Sequence, residues 1–487
     1  MPAGDSNLFF NRHTKVYAVQ YTANAAANVW QLPVLNGYSF GQTTNSTQVT
    51  LNEMASATSN SRRGQSSFND SLSPAEWSFD LYARPTTAGG VVRAPEELLW
   101  NSMLSETVMY PAAGTAAGLA ITSAVITSGV LTATFTSPAT TGGTYFKIGD
   151  SVTISGLSAA VGTTGASGTF VVTGTTASTV SYAVPSSVSG TVTATSAKAV
   201  SATFATTSSQ LDFFPTSSNK TRLGTFDLYF VMGAANHTGT PDTYTASEIT
   251  TIYKVANCCV NEATVNFEID GITTISFSGM GTSISEKDSF TFASGTVSNP
   301  GEPATTVQTF IANGVSDTNN MIRNRLTSLN IIGTNPGINA GAAKTYLVTL
   351  TGGSITISNN MTFLTPEVMG IVNLPLGHVT GSRSVSGSFT CYADELTNGS
   401  IDLYSDLIGA TGLVTNKFQL QFFVGGRSGT ANMPVAPGVM FDMGQCHLEI
   451  PSFNIDDVIG FEVNFTALPS NISGTDEITR IRYVPPV

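Results

Sequence analysis

Ser78-Phe79-Asp80-Leu81-Tyr82-Ala83 returns in the second half of the chain as Ser388-Phe389-Thr390-Cys391-Tyr392-Ala393. A short helical patch follows each copy, Pro95 to Leu104 in the first and Ile401 to Ile408 in the second. Both carry apolar residues at spacings of three and four, the mark of a helix with one buried face. Next come Phe226-Asp227-Leu228-Tyr229-Phe230-Val231-Met232-Gly233 and Phe418-Gln419-Leu420-Gln421-Phe422-Phe423-Val424-Gly425. Last, Phe267-Glu268-Ile269-Asp270-Gly271-Ile272 aligns with Phe453-Asn454-Ile455-Asp456-Asp457-Val458. The alternating runs Ile275 to Ser278 and Phe461 to Phe465 follow. Strand, short helix, strand and closing strand pair thus recur in one order, which predicts two homologous β-domains.

The first copy is interrupted. From Ala117 through Lys198 the only charged residues are Lys147, Asp150 and Lys198. Apolar residues alternate with Ser and Thr at Val130 to Phe135, Ser151 to Ser155 and Thr169 to Thr173, with Gly-rich turns between. That pattern predicts a small inserted β-sandwich; the bland reading is a Ser/Thr linker. The run Tyr145 to Ile154 resembles the strand openings of bacterial immunoglobulin-like modules that decorate phage structural proteins.

Composition narrows the function. Only 11% of the 487 residues are charged, and the net charge is −12. A nucleic-acid-gripping protein clusters Lys and Arg against phosphates; here they total 20 and form no run. The N-terminal stretch lacks a signal peptide's basic start and apolar core, and nowhere is there an apolar run of about 18 residues. Synthesis in a cytoplasm, with no membrane association, is the expectation. Cys258, Cys259, Cys391 and Cys446 lack zinc spacing and read as reduced, buried residues. No phosphate-binding, dinucleotide, zincin or hydrolase-elbow motif occurs, and His13, His237, His378 and His447 lie far apart. Cys446 and His447 would point to opposite faces of a strand. Asp456-Asp457 fits turn capping, with Ca²⁺ or acid–base work as the open alternative. No enzyme, metal or cofactor is expected.

The closing segment Leu448 to Pro469 resembles the end of a phage tail tube protein. So does Asn36-Gly37-Tyr38-Ser39-Phe40, followed by a long polar loop through Phe68-Asn69-Asp70 to the Trp77 strand. The resemblance is to the major tail tube proteins of long-tailed bacteriophages and rests on pattern across both halves. It implies an all-β fold with short flanking helices: two homologous tail-tube β-sandwich/barrel domains plus an inserted small immunoglobulin-like sandwich. The expected boundaries are 1–116 with 201–300 for the first tube domain and 117–200 for the insert. Residues 301–487 hold a linker and the second tube domain. Family members form six-domain rings that stack into a hollow tube, so a duplicated chain implies homotrimeric, pseudo-hexameric rings in the virion tail. Implied partners are the chain itself, tape measure, tail terminator and distal tail proteins, with DNA passing transiently. Assembly is expected in the host bacterial cytoplasm.

Within that reading, Glu76, Asp80, Asp227, Gln419 and Gln421 are lumen-facing candidates, because they alternate with Phe and Leu. Outward-facing solvent positions are the competing reading. The Gln42 to Ser73 loop is the ring-stacking candidate, with Val49, Leu51, Glu53, Arg62, Arg63, Phe68 and Asp70; simple disorder competes. The alternative function is a β-sandwich surface adhesin or receptor-binding fibre. A carbohydrate-active sandwich lacks a paired-carboxylate constellation.

Overall fold

Short Val-, Phe- and Thr-rich runs between turns become strands, and the protein is all-β with two short α-helices among the described residues. The computed structural model describes residues 11, 14–22, 25–49, 66–88, 91–104, 119–135, 151–162, 165–175, 179–201, 204–206, 210–213, 215, 223–233, 250–287, 291–293, 296–298, 305–308, 321–333, 344–409, 417–426, 437–455, 457–469, 474 and 476–486.

The first part runs β1 (Lys15–Thr22), β2 (Ala25–Leu32), β3 (Ser39–Gly41), β4 (Thr44–Val49), β5 (Ser66–Leu72), β6 (Ala75–Tyr82), β7 (Thr86–Ala88), β8 (Val91–Arg93) and α1 (Glu97–Leu104). There follow β9 (Leu119–Thr127), β10 (Val130–Phe135), β11 (Ser151–Val161), β12 (Gly168–Thr175), β13 (Thr179–Ala183) and β14 (Ser189–Ser201). The chain continues through β15 (Phe204–Thr206), β16 (Leu211–Phe213), β17 (Phe226–Gly233), β18 (Thr250–Glu268), β19 (Thr274–Gly281), β20 (Ser283–Lys287), β21 (Thr291–Ala293), β22 (Thr296–Ser298) and β23 (Thr305–Gln308). The last part holds β24 (Ser328–Gly333), β25 (Lys344–Leu347), β26 (Leu350–Ser358), β27 (Thr362–Leu364), β28 (Gly377–Val379), β29 (Ser384–Tyr392) and α2 (Ser400–Gly409). It ends with β30 (Phe418–Val424), β31 (Gly438–Leu448), β32 (Phe453–Ile455), β33 (Ile459–Ala467) and β34 (Arg480–Val484).

Two antiparallel ladders have the same order. One runs β1–β17–β18–β19–β6–β3, the other β24–β30–β31–β33–β29–β26. The correspondence holds residue by residue. Phe226 faces Cys258 and Leu228 faces Val255, with a register shift between; Phe418 faces Cys446 and Leu420 faces Met443, with the shift at the same step. Val260 faces Gly279 as Leu448 faces Phe465. Phe79 faces Phe277 as Phe389 faces Val463. Register is set by the apolar pattern, since a one-residue slip would turn every core side chain outward.

The ladders correct one pairing drawn from sequence. Phe453 faces Phe461, the counterpart of Ile275, and Ile275 faces Val265. Val265, not Phe267, therefore occupies the place of Phe453, and Phe267 that of Ile455. The turn after β18 is longer than the one after β32, which displaced the match made on Phe-x-Ile-Asp alone.

Strands β9 to β14 close into a separate barrel, β10–β13–β12–β11–β14–β9, with its own core around Leu131, Val152, Ile154, Val180 and Tyr182. It is a sandwich closed at both edges, because β9 pairs with β10 and β14, and β12 pairs with β11 and β13. Residues 136–150, including most of the Tyr145 to Ile154 run, lie outside the described residues.

Candidate functional site

The ladders share one continuous sheet. Strands β3, β6, β19, β18, β26, β29, β33 and β32 pair antiparallel in that order, and the junction between the copies is β18 with β26. One face of this eight-strand sheet is apolar. Trp77, Phe79, Phe277, Val265, Phe267, Ile355, Phe389, Val463 and Phe465 all belong to the core. The other face is polar: Ser78, Ser276, Ser278, Thr264, Ser354, Thr356, Ser386, Ser388, Thr390 and Asn464 alternate with those core residues. Its hydroxyls bond between strands, Thr264 Oγ1 to Thr356 Oγ1 at 3.2 Å and Thr351 Oγ1 to Thr390 Oγ1 at 2.8 Å.

The charge on this face has one sign. Glu76, Asp80, Glu262, Glu268 and Glu462 lie on it, and no Lys or Arg occurs in β3, β6, β19, β26, β29, β33, β32 or residues 259–268 of β18, the part that pairs into this sheet. Each acid sits opposite an uncharged residue: Glu76 opposite Met280 and Gly41, Asp80 opposite Ser276, Glu262 opposite Ser278 and Ser358, Glu268 opposite Gly352, Glu462 opposite Thr390. No carboxylate faces another, so the face carries dispersed negative charge without like-charge pairs.

The structure thus brings together only part of the sequence-based set. Glu76 and Asp80 are exposed on the polar face. Asp227 is buried; its carboxylate meets Lys254 Nζ at 2.7 Å and accepts the Asn257 N–H at 2.7 Å. Gln421 is also buried and Gln419 half-buried, both donating to Asp442 Oδ1, at 3.3 and 3.0 Å. Strands β17 and β30 are covered on both sides, so alternation there does not signal exposure. Glu262, Glu268 and Glu462 were missed; their sequence signal was the same polar–apolar alternation that marks Asp80.

The described residues of the Gln42 to Ser73 segment form a two-stranded arm, and residues 50–65 lie outside the described residues. β4 and β5 pair from Thr44↔Leu72 to Val49↔Ser66, and Thr47 Oγ1 donates to Asp70 at 2.5 Å. Val49 and Phe68 are exposed on it, while Leu51, Glu53, Arg62 and Arg63 lie outside the described residues. A second arm occupies the equivalent place in the other copy, built on β27 and β28. Its tip exposes Val368, Met369, Ile371, Val372, Leu374 and Leu376, with Met369 fully exposed. The arms join where Leu72 N–H donates to Asn373 O at 2.9 Å and Asn373 N–H to Asp70 O at 3.0 Å. The apolar run Val368 to Val372 could have flagged this second arm from sequence.

The cysteines are free and buried, and burial pushes the Cys391 thiol up to about 12, which leaves it protonated and inert at neutral pH. No helix among the described residues is long and apolar enough to cross a membrane.

No family model matches the chain. It is 27% identical over 473 residues to the tail tube protein pb6 of Escherichia phage T5, covering 96% of this chain and 74% of that protein. Coverage so nearly complete takes in both ladders, and together with the all-β fold it supports a phage major tail tube protein.

Proposed function

We propose that the chain is a structural component of the virion, the subunit of a hollow phage tail tube. A tail tube role is what its relative's name describes, and the finer reading extends it. Three chains form a homotrimeric, pseudo-hexameric ring, because each supplies two copies of one ladder. Rings stack through the two arms, and the polar sheet face lines the channel through which DNA leaves. Tape measure, tail terminator and distal tail proteins are the further partners. The role is structural rather than enzymatic.

The observation that carries this reading is the eight-strand sheet with one acidic, base-free face. Barrels of about 8 strands are filled by side chains, whereas about 16–18 strands leave an aqueous channel. One chain's sheet is therefore too small to enclose a passage, and several chains must contribute. An acidic wall repels phosphate without holding it, and at physiological salt it acts only within about 8 Å. The β9–β14 barrel has its own core and decorates the tube exterior.

Negative-stain micrographs of purified protein test the proposal. Stacked rings or long hollow filaments are expected, and protein that remains a dispersed monomer at high concentration overturns it. Within tubes, Asp80→Lys with Glu262→Lys should slow DNA ejection from phage while leaving tube formation intact; unchanged ejection removes the lumenal assignment.

A further inference from the structure

The in-chain junction of the two copies is a template for a junction between chains. The second half of β18 pairs with β26: Val265 faces Ile355, Asn266 faces Ser354 and Phe267 faces Gly353. By the ladder register, Phe453, Asn454 and Ile455 are the counterparts of Val265, Asn266 and Phe267. Ser39 and Phe40 are likewise the counterparts of Ser354 and Ile355, since Ser39 faces Ser78 and Ser354 faces Ser388. Each chain thus carries both halves of a second junction, at opposite ends of its sheet.

Burial shows that those halves are unfilled. Val265, Phe267 and Ile355 are 0%, 1% and 0% exposed, but Phe453 and Ile455 are 37% and 78% exposed, and Phe40 is only half-buried. Ile450, Val458 and Ile459 extend the apolar exposure around β32. An exposed apolar edge strand is an invitation to pairing. A barrel removes it.

We infer that β32 of one chain pairs antiparallel with β3 of a second copy, in the register Phe453↔Phe40, Asn454↔Ser39 and Ile455↔Tyr38. This rests on the tail tube reading and adds its interface. The occupant is a second copy because each edge matches the other end of the same sheet, and because eight-strand units can close only by meeting each other. Backbone polarity fits the scheme. Ala393 N–H donates to Ile459 O at 2.9 Å and Glu449 N–H to Asn464 O at 3.0 Å, so odd-numbered residues of β33 turn their polar groups to β29 and even-numbered ones to β32. Asn454, opposite Gly460, therefore points its N–H inward, and the outward donors of β32 are those of Phe453 and Ile455. Asn454 and Ser39 are both exposed in the single chain, and directly opposed strand residues lie within disulfide reach.

A cysteine-pair experiment on assembled tubes tests the register. The variant carrying Ser39→Cys and Asn454→Cys should, after oxidation, run on non-reducing gels as covalently closed three-chain species. The pair Gly41→Cys with Asn454→Cys, two residues out of register, should cross-link at least tenfold less; a Cβ at Gly41 meets nothing within 4 Å. Tubes of normal appearance in which the second pair links as well as the first, or neither links, overturn the register and leave the tube reading standing. Failure of the unmodified protein to form tubes overturns that reading instead. Should the double-cysteine variant not assemble, hydrogen exchange on unmodified tubes decides. The amides of Phe453 and Ile455 should gain at least tenfold protection over unassembled protein, and unchanged exchange there overturns the inference.

Discussion

The two tube copies keep the same ladder, register and bulge, yet fill it with different side chains. In the first copy Trp77 lies across Gly279, where a Cβ would come within 2.5 Å of the indole ring. In the second the sizes are exchanged: Gly387 stands in the place of Trp77 and Phe465 in that of Gly279, with the Phe465 ring 2.8 Å from where a Gly387 Cβ would sit. The polar link between neighbouring strands is exchanged as well. Asp227 meets Lys254 in one copy, and the counterparts Gln419 and Asp442 meet in the other with the acid on the opposite strand. What both copies hold constant is backbone pairing. Interior pairs vary freely so long as volume and polar satisfaction are kept.

The largest expected effect comes from breaking the polar link on each side. Asp442 accepts from Gln419, Gln421 and Arg480, the last at 3.4 Å, whereas the cation on Asp227 is Lys254. Lys254→Met leaves a buried carboxylate without its counter-ion and should cost about 3–5 kcal/mol. Arg480→Met leaves Asp442 two amide donors and should cost about 1 kcal/mol. Denaturant unfolding of the unassembled protein measures both. Equal losses would erase the distinction between the copies.

The helices differ in the same sense. All eight residues of α1 are buried, while α2 buries Ser400, Leu403 and Leu407. Burial raises Glu96, just before α1, from 4.5 to about 7, opposed by Arg84 and reinforced by Glu97, with Tyr483 alongside. The folded pKa lies above the unfolded one, so the neutral carboxyl favours the folded state. That contribution is full below pH 4.5 and is lost as pH rises through 7, by up to about 3 kcal/mol at roughly 1.4 kcal/mol per unit. Glu96→Gln should flatten the decline in unfolding midpoint between pH 5 and 8. Parallel curves for the two proteins would remove Glu96 as its source.

Much of this was legible because strand alternation and the repeated Ser-Phe-x-x-Tyr-Ala are local signals. Phe226 to Gly233 coincides with β17, and Pro95 to Leu104 contains α1. What escaped the sequence depends on non-local partners. Asp227 and Gln421 alternate with Phe and Leu as Asp80 does, but only sheet order shows that their strands are covered on both sides. Glu262 and Glu462 join the acidic face through ladders to strands far away in sequence. The second arm was hidden because its apolar tip resembles core, and only the fold shows Met369 standing in solvent.

The smallest expected effect separates the ways in which the two helices are held. Tyr346 Oη donates to Asp406 Oδ2 at 2.6 Å, and Lys344 Nζ lies 2.7 Å from the same oxygen, tying α2 to β25 at the surface. Its counterpart attachment in α1 is buried: Trp100 Nε1 donates to Tyr483 Oη at 2.8 Å, and the indole packs edge-on against Phe277 and Phe441. Asp406→Ala should therefore loosen α2 by about 1 kcal/mol, read as faster amide exchange in residues 400–409, with α1 unaffected. High salt should mimic part of this loss at α2 and none at α1, because screening weakens partly exposed ion pairs and leaves apolar contacts intact. Equal salt sensitivity in both helices would mean that α2, like α1, is held mainly by its buried Leu403 and Leu407.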